Sequence, residues 1–133
     1  MLLPCAPASV AVARRRLTAD LLAAGIYDSA VCDAALVISE LLSNAILHAH
    51  PIAGARLQVT WVLQEESIEV SVSDGGGPTR PHNAHASASA LGGRGLGIVE
   101  CLSRTWGVRA DEVGLTVWAV LPAPQRAGHG LAS

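Results

Sequence analysis

Lysine is absent from this 133-residue chain: all nine basic residues are Arg, and there is no Phe either. Without an ε-amine, P-loop phosphate binding, Schiff-base chemistry and a lysine general base are excluded. Charge is also scarce, at 15% of residues with a formal net charge of −2, which leaves no broad basic footprint for nucleic acid. Cysteine occurs three times, at Cys5, Cys32 and Cys101, widely spaced and without a CxxC. That pattern does not make a disulfide framework or a zinc knuckle, so these residues read as small apolar side chains or idle thiols. Apolar runs break before the ~18 residues that a membrane span requires. MLLPCAP carries two prolines, with its Arg cluster after the apolar residues and not before them, unlike a signal peptide. The expectation is a soluble cytoplasmic protein with neither membrane nor nucleic acid as partner.

What is present is apolar: half of the residues, in a chain of 13.6 kDa, enough for one domain with its own core. Val10, Val12, Ala13, Leu17, Leu21 and Leu22 recur at near-helical spacing between Ala8 and Ala24, and Gly25 suits a helix stop. Asp28 or Ser29 caps a second helix running to about His48, closed by His50-Pro51. The period then changes to two, over Arg56 to Leu63 and Ser67 to Ser73, with Gln64-Glu65-Glu66 as the hairpin turn. A third helix is expected over Gly95 to Arg104. Trp106 to Ala110 and Leu115 to Leu121 read as a second strand pair. This order predicts an α+β fold, a two-layer sandwich with helices on one face of a mainly antiparallel sheet. The domain is expected over residues 8–122, with residues 123–133 as a flexible tail.

Three places carry chemistry. On a helical wheel, Glu40, Asn44 and His48 fall about 40° apart on one stripe. Leu36 and Leu47 flank it on one side and Ile38, Leu41 and Ala45 on the other. The stripe is either where the helix meets solvent or a polar site set among apolar neighbours. Ser39 and Ser43 offer a competing solvent face, which favours the site. Asp74 ends an alternating strand and precedes three glycines; it is either an Asp-Gly turn or a carboxylate that accepts from an amino group such as an adenine N6. Gly92-Gly93-Arg94-Gly95-Leu96-Gly97 opens a helix, where free backbone N–H groups suit phosphate. The glycines follow no predicted strand, so a dinucleotide fold is disfavoured. His82 and His85 lie in a small-residue segment with no carboxylate or cysteine near them, a poor metal site.

Taken together and in this order, the motifs resemble the GHKL, or Bergerat-fold, ATPase superfamily, and within it the anti-sigma regulatory serine kinases of bacteria, the switch-protein kinases. SELLSNAILHA (Ser39 to Ala49) is similar to the N-box, VSDGGGP (Val72 to Pro78) to the first glycine box and GGRGLGIVECL (Gly92 to Leu102) to the second. GLTVWAVLP (Gly114 to Pro122) resembles the last strand of that family.

The resemblance implies a Mg²⁺-ATP-dependent protein-serine kinase that also acts as an anti-sigma factor. Its partners would be a sigma factor and a STAS-type anti-anti-sigma protein, and a homodimer is implied as well. Asn44 would hold Mg²⁺, Glu40 would be the general base, and Asp74 would read adenine with Thr116 sharing its water network. Gly76, Gly93, Gly95 and Gly97 would let the chain wrap the nucleotide alongside Arg94 and Leu96, with Thr79 to Gly92 as the ATP lid. His48 supports the site. Two departures stand out: Pro78 replaces a glycine common in the superfamily, and the lid has neither Lys nor acidic residues. Charge on the γ-phosphate would therefore come from Arg94 or Arg80, and a rigid guanidinium fork does not act like a flexible ammonium. The alternatives are a nucleotide-gated binding module that transfers nothing, and a plain structural domain whose motifs are turns and caps.

Overall fold

The computed structural model describes residues 1–48, 56–74, 94–111 and 114–126. Gly76, Gly93, Arg80, His82, His85 and the expected lid lie outside them, as do the side chains of His48, Arg94 and Leu96. Among the described residues eight elements follow one another: β1 (Leu2–Pro4), α1 (Ala8–Ala23), α2 (Asp28–His48), β2 (Arg56–Gln64), β3 (Ser67–Ser73), α3 (Arg94–Leu102), β4 (Thr105–Asp111) and β5 (Gly114–Pro122). The strands form one sheet in the order β1-β2-β3-β5-β4, antiparallel throughout.

Alternation builds the sheet's inner face. Register aligns Val59 with Val72, Trp61 with Val70 and Leu63 with Ile68 across β2 and β3. It continues through Val72–Val117, Val70–Ala119 and Ile68–Leu121 into β5. Most of this ladder is buried. The intervening residues form the outer face, where Thr60 and Ser71 share a 2.6 Å hydrogen bond. There the indole of Trp118 lies so close over Gly107 that a Cβ would stand 2.7 Å from it.

Helix α2 is the centre of the other layer and packs against α1, β3, β5 and α3. Ala34, Val37, Ile38, Leu41 and Leu42 recur at helical spacing and are completely or almost completely buried. Contrary to the expectation that no apolar run would be long enough, Asp28–Leu47 has the length and hydropathy, 1.7, to cross a bilayer. In the domain 44% of that window is buried, against the sheet and the other helices. Ser39, expected on a solvent face, is buried too, and its hydroxyl donates 2.7 Å back to the Ala35 carbonyl.

Two ends differ from expectation. β1 was not foreseen, because three residues containing a proline carry no periodic signal. It pairs Leu2 with Gln58 and Pro4 with Arg56 at the sheet edge, where a missing N–H is tolerated. The first residues of the expected loose tail, 123–126, are held in place. Ala123 is buried and donates to the Glu66 carbonyl, Gln125 bridges to Ile26, and the Arg126 N–H donates to Gly25 O at 2.8 Å. Arg126 also pairs with Asp28 at 3.0 Å and sits over the Tyr27 ring. The pair is exposed, so the backbone bonds hold this segment more than the charges do.

The turn receiving that segment is a Schellman cap. Ile26 N–H donates to Leu21 O and Gly25 N–H to Leu22 O, with Gly25 at φ 80° and Leu21 and Ile26 in contact with the core. A Cβ at that φ costs about 1–2 kcal/mol. Gly25→Ala is therefore expected to lower unfolding free energy by about that amount in urea titration, and an unchanged midpoint would show that the cap does not constrain the turn.

Candidate nucleotide site

Burial of α2 on the sheet fixes its rotation, and rotation decides what the polar stripe faces. Ile38 and Leu41 on one flank are buried, while Leu36 and Leu47 on the other are 43% and 75% exposed. Glu40 and Asn44 are half-buried between them, on the rim where core gives way to solvent. Glu40 has no hydrogen-bond or ion-pair partner among the described residues. The Asn44 side chain is more telling: its Nδ2 is buried with no hydrogen-bond partner among the described residues. An unsatisfied buried donor costs about 1–3 kcal/mol. Turning the helix to free it would expose core side chains worth about 1.5–3 kcal/mol each, so packing wins and the amide stays where it is.

Asp74 sits where the β3–β5 ladder ends. Its N–H donates to the Leu115 carbonyl at 3.1 Å, and its Oδ1 accepts from the Leu115 N–H at 3.2 Å. The carboxylate is thereby anchored to the β5 backbone, half-buried, beyond the last strand pair. Thr116 does not join it. It is paired with Ser73 and turned to the outer face, its buried hydroxyl 2.6 Å from the Ser73 Oγ. Neighbours along a strand point to opposite faces, so the residue that shares the inner face with Val117 and meets Asp74 is Leu115. Counting alternation back from Val117 in the sequence would have found it.

The third motif opens α3 at Arg94, with no acidic residue in its first turn to answer the free N–H groups. Gly97 in that turn is exposed, and among the described residues a Cβ there would meet nothing within 4 Å. Internal packing does not demand this glycine. What its missing side chain leaves is open space over a helix start, room for a ligand to approach the backbone. Gly95 lies in the same turn. Helix α2 touches both β3, which leads into Asp74, and α3, so one element joins all three motifs. Among the described residues no group of three or more His, Cys, Asp and Glu could hold a metal.

A family model for the histidine kinase-like ATPase domain matches residues 3–121. The chain belongs to that family. The match begins within β1, the edge strand of the sheet. A histidine kinase-like ATPase domain implies ATP binding, and the α+β fold with its open five-stranded antiparallel sheet is that of a GHKL-type ATPase. Among solved structures, a mycobacterial sensor histidine kinase, MprB, is similar at 18% identity and TM-score 0.46, over 72% of this chain and 74% of that one. No curated protein matches.

Asn44→Leu separates stability from function in this ATPase domain. Removing an orphaned amide for an apolar side chain of similar size is expected to leave the nucleotide-free protein at least as stable, by up to about 1 kcal/mol, and to abolish its thermal stabilisation by Mg²⁺-ATP. A large loss of stability without nucleotide would show that Asn44 is a structural residue.

Proposed function

We propose that this ATPase domain is a protein-serine kinase that doubles as an anti-sigma factor, phosphorylating a serine of a STAS-type anti-anti-sigma protein and otherwise holding a sigma factor inactive. The observation that carries it is the pair on the α2 rim: Glu40, without a partner among the described residues, one helical turn from Asn44, whose Nδ2 is buried with no partner among them. The likeness of SELLSNAILHA and GGRGLGIVECL to the switch-protein kinases supports the narrower assignment. A sigma-factor partner puts the protein in the cytoplasm, and a homodimer is part of the same reading.

The residues divide the work. Asp74, anchored on Leu115, accepts from the adenine amino group. Free N–H groups of the first turn of α3 receive phosphate oxygens, and Gly97 leaves the space for them. Asn44 would hold Mg²⁺ through its amide oxygen, a hard neutral ligand; the ion supplies charge neutralisation on the phosphates. The unsatisfied atom of Asn44 is its Nδ2 donor, which does not ligate a cation but can donate to a ligand oxygen beside it. Glu40 orients the serine hydroxyl and takes its proton as the new O–P bond forms and the bond to the leaving ADP oxygen breaks. Thr116, facing the other side of the sheet, takes no part, and Leu115 gives the adenine side an apolar wall.

The lysine-free composition favours one other reading, a nucleotide-gated module that sequesters its partner and transfers nothing. Transfer of labelled γ-phosphate to purified candidate STAS proteins decides between them. Wild type is expected to label a serine, and Glu40→Ala to do so at least about 100-fold more slowly while still binding ATP. Equal labelling by both, or none by either while both bind ATP, would overturn the kinase assignment.

A further inference from the structure

The solvent flank of the Glu40 stripe is apolar. Leu36 and Leu47 are 43% and 75% exposed, and they are the large apolar side chains that α2 leaves in solvent. On a helical wheel they stand about 40° and about 20° to one side of Glu40, whereas Asn44 stands about 40° to the other, toward the buried Val37. Along the axis Leu36 lies about 6 Å before Glu40 and Leu47 about 10 Å after it. Two leucines therefore bracket the carboxylate on the side away from the core. No Arg is present in α2, whose charged side chains are Asp28, Asp33 and Glu40.

The inference rests on the kinase reading, in which Asn44 and the start of α3 hold the phosphates and Glu40 meets the serine hydroxyl. In-line transfer puts the attacking and leaving oxygens on opposite sides of the phosphorus. With the nucleotide on the Asn44 side, the acceptor reaches Glu40 across Leu36 and Leu47. We propose that these two leucines select the acceptor, seating apolar side chains that flank the phosphorylated serine. An extended chain rises about 3.3 Å per residue, so the leucines match positions about two residues to one side of the serine and about three to the other. Acidic neighbours of the serine are disfavoured, because Asp33 and Glu40 repel them and no Arg of α2 receives them.

The test uses the full chain and a purified STAS-type protein that wild type labels in the transfer assay. Leu36→Gln with Leu47→Gln removes the apolar surface while keeping good helix formers at exposed positions. The pair is expected to raise KM for the acceptor about tenfold. Its kcat and its KM for ATP stay within about twofold, and thermal stabilisation by Mg²⁺-ATP is unchanged. Leu36→Met with Leu47→Met, which restores an apolar surface, is expected to match wild type within about twofold. Replacing the apolar residue of the acceptor nearest its serine by Gln raises KM for wild type about fivefold and adds less than about twofold for the Gln pair, as expected of groups in contact. The proposal is overturned, with the kinase reading intact, if the Gln pair leaves acceptor KM unchanged or if the Met pair loses as much as the Gln pair. It is also overturned if ATP use and thermal stabilisation fall along with acceptor use, which would make the leucines part of the nucleotide site. No labelling of any STAS-type protein by wild type that binds ATP overturns the kinase reading, and the proposal with it.

Discussion

One helix has to serve as both core and site. The rotation of α2 is set by Ala34, Val37, Ile38, Leu41 and Leu42 pressing on the sheet and neighbouring helices, with several kcal/mol of burial holding it. That rotation leaves Glu40 and Asn44 on a rim between buried Leu41 and exposed Leu36. A carboxylate and an amide at such a boundary keep access to a ligand while the backbone beneath them cannot move. The orphaned Asn44 Nδ2 is a local cost imposed by packing elsewhere, and the proposed nucleotide site is the reading that accounts for it.

The remaining motifs depend on the same arrangement. β3 delivers Asp74 to the end of the ladder, and the β5 backbone takes hold of its carboxylate through Leu115. α3 packs on α2 and brings a helix start with an open glycine to the assembly. With no lysine in the chain, protein charge toward a triphosphate rests on backbone N–H groups and arginine alone. This is a stiffer and more directional set of donors than a lysine-bearing lid provides.

Most of this was legible in the sequence because it is local. Period-two alternation located β2 to β5, and the helical period with Gly25 and Asp28 bounded α1 and α2. What escaped was non-local. β1 exists only through its pairing with β2, and residues 123–126 are held by the β2–β3 turn and the α1–α2 turn, so neither leaves a pattern in its own residues. Ser39 was misread because a wheel shows polarity and not contact, and its hydroxyl satisfies itself on the Ala35 carbonyl inside the core. Thr116 was assigned to Asp74 by the likeness of a motif. Strand alternation, already visible in Leu115, Val117, Ala119 and Leu121, puts it on the opposite face.

The central claim is that α2, the end of β3 and the start of α3 form one nucleotide site. Amide hydrogen exchange with and without Mg²⁺-ATP tests it most directly. The account predicts slowed exchange together at the C-terminal half of α2, at Asp74 and Leu115, and in the first turns of α3, with the outer face of α1 unaffected. Protection confined to α1 or to the β1–β2 edge, or no protection while ATP is bound, would contradict it.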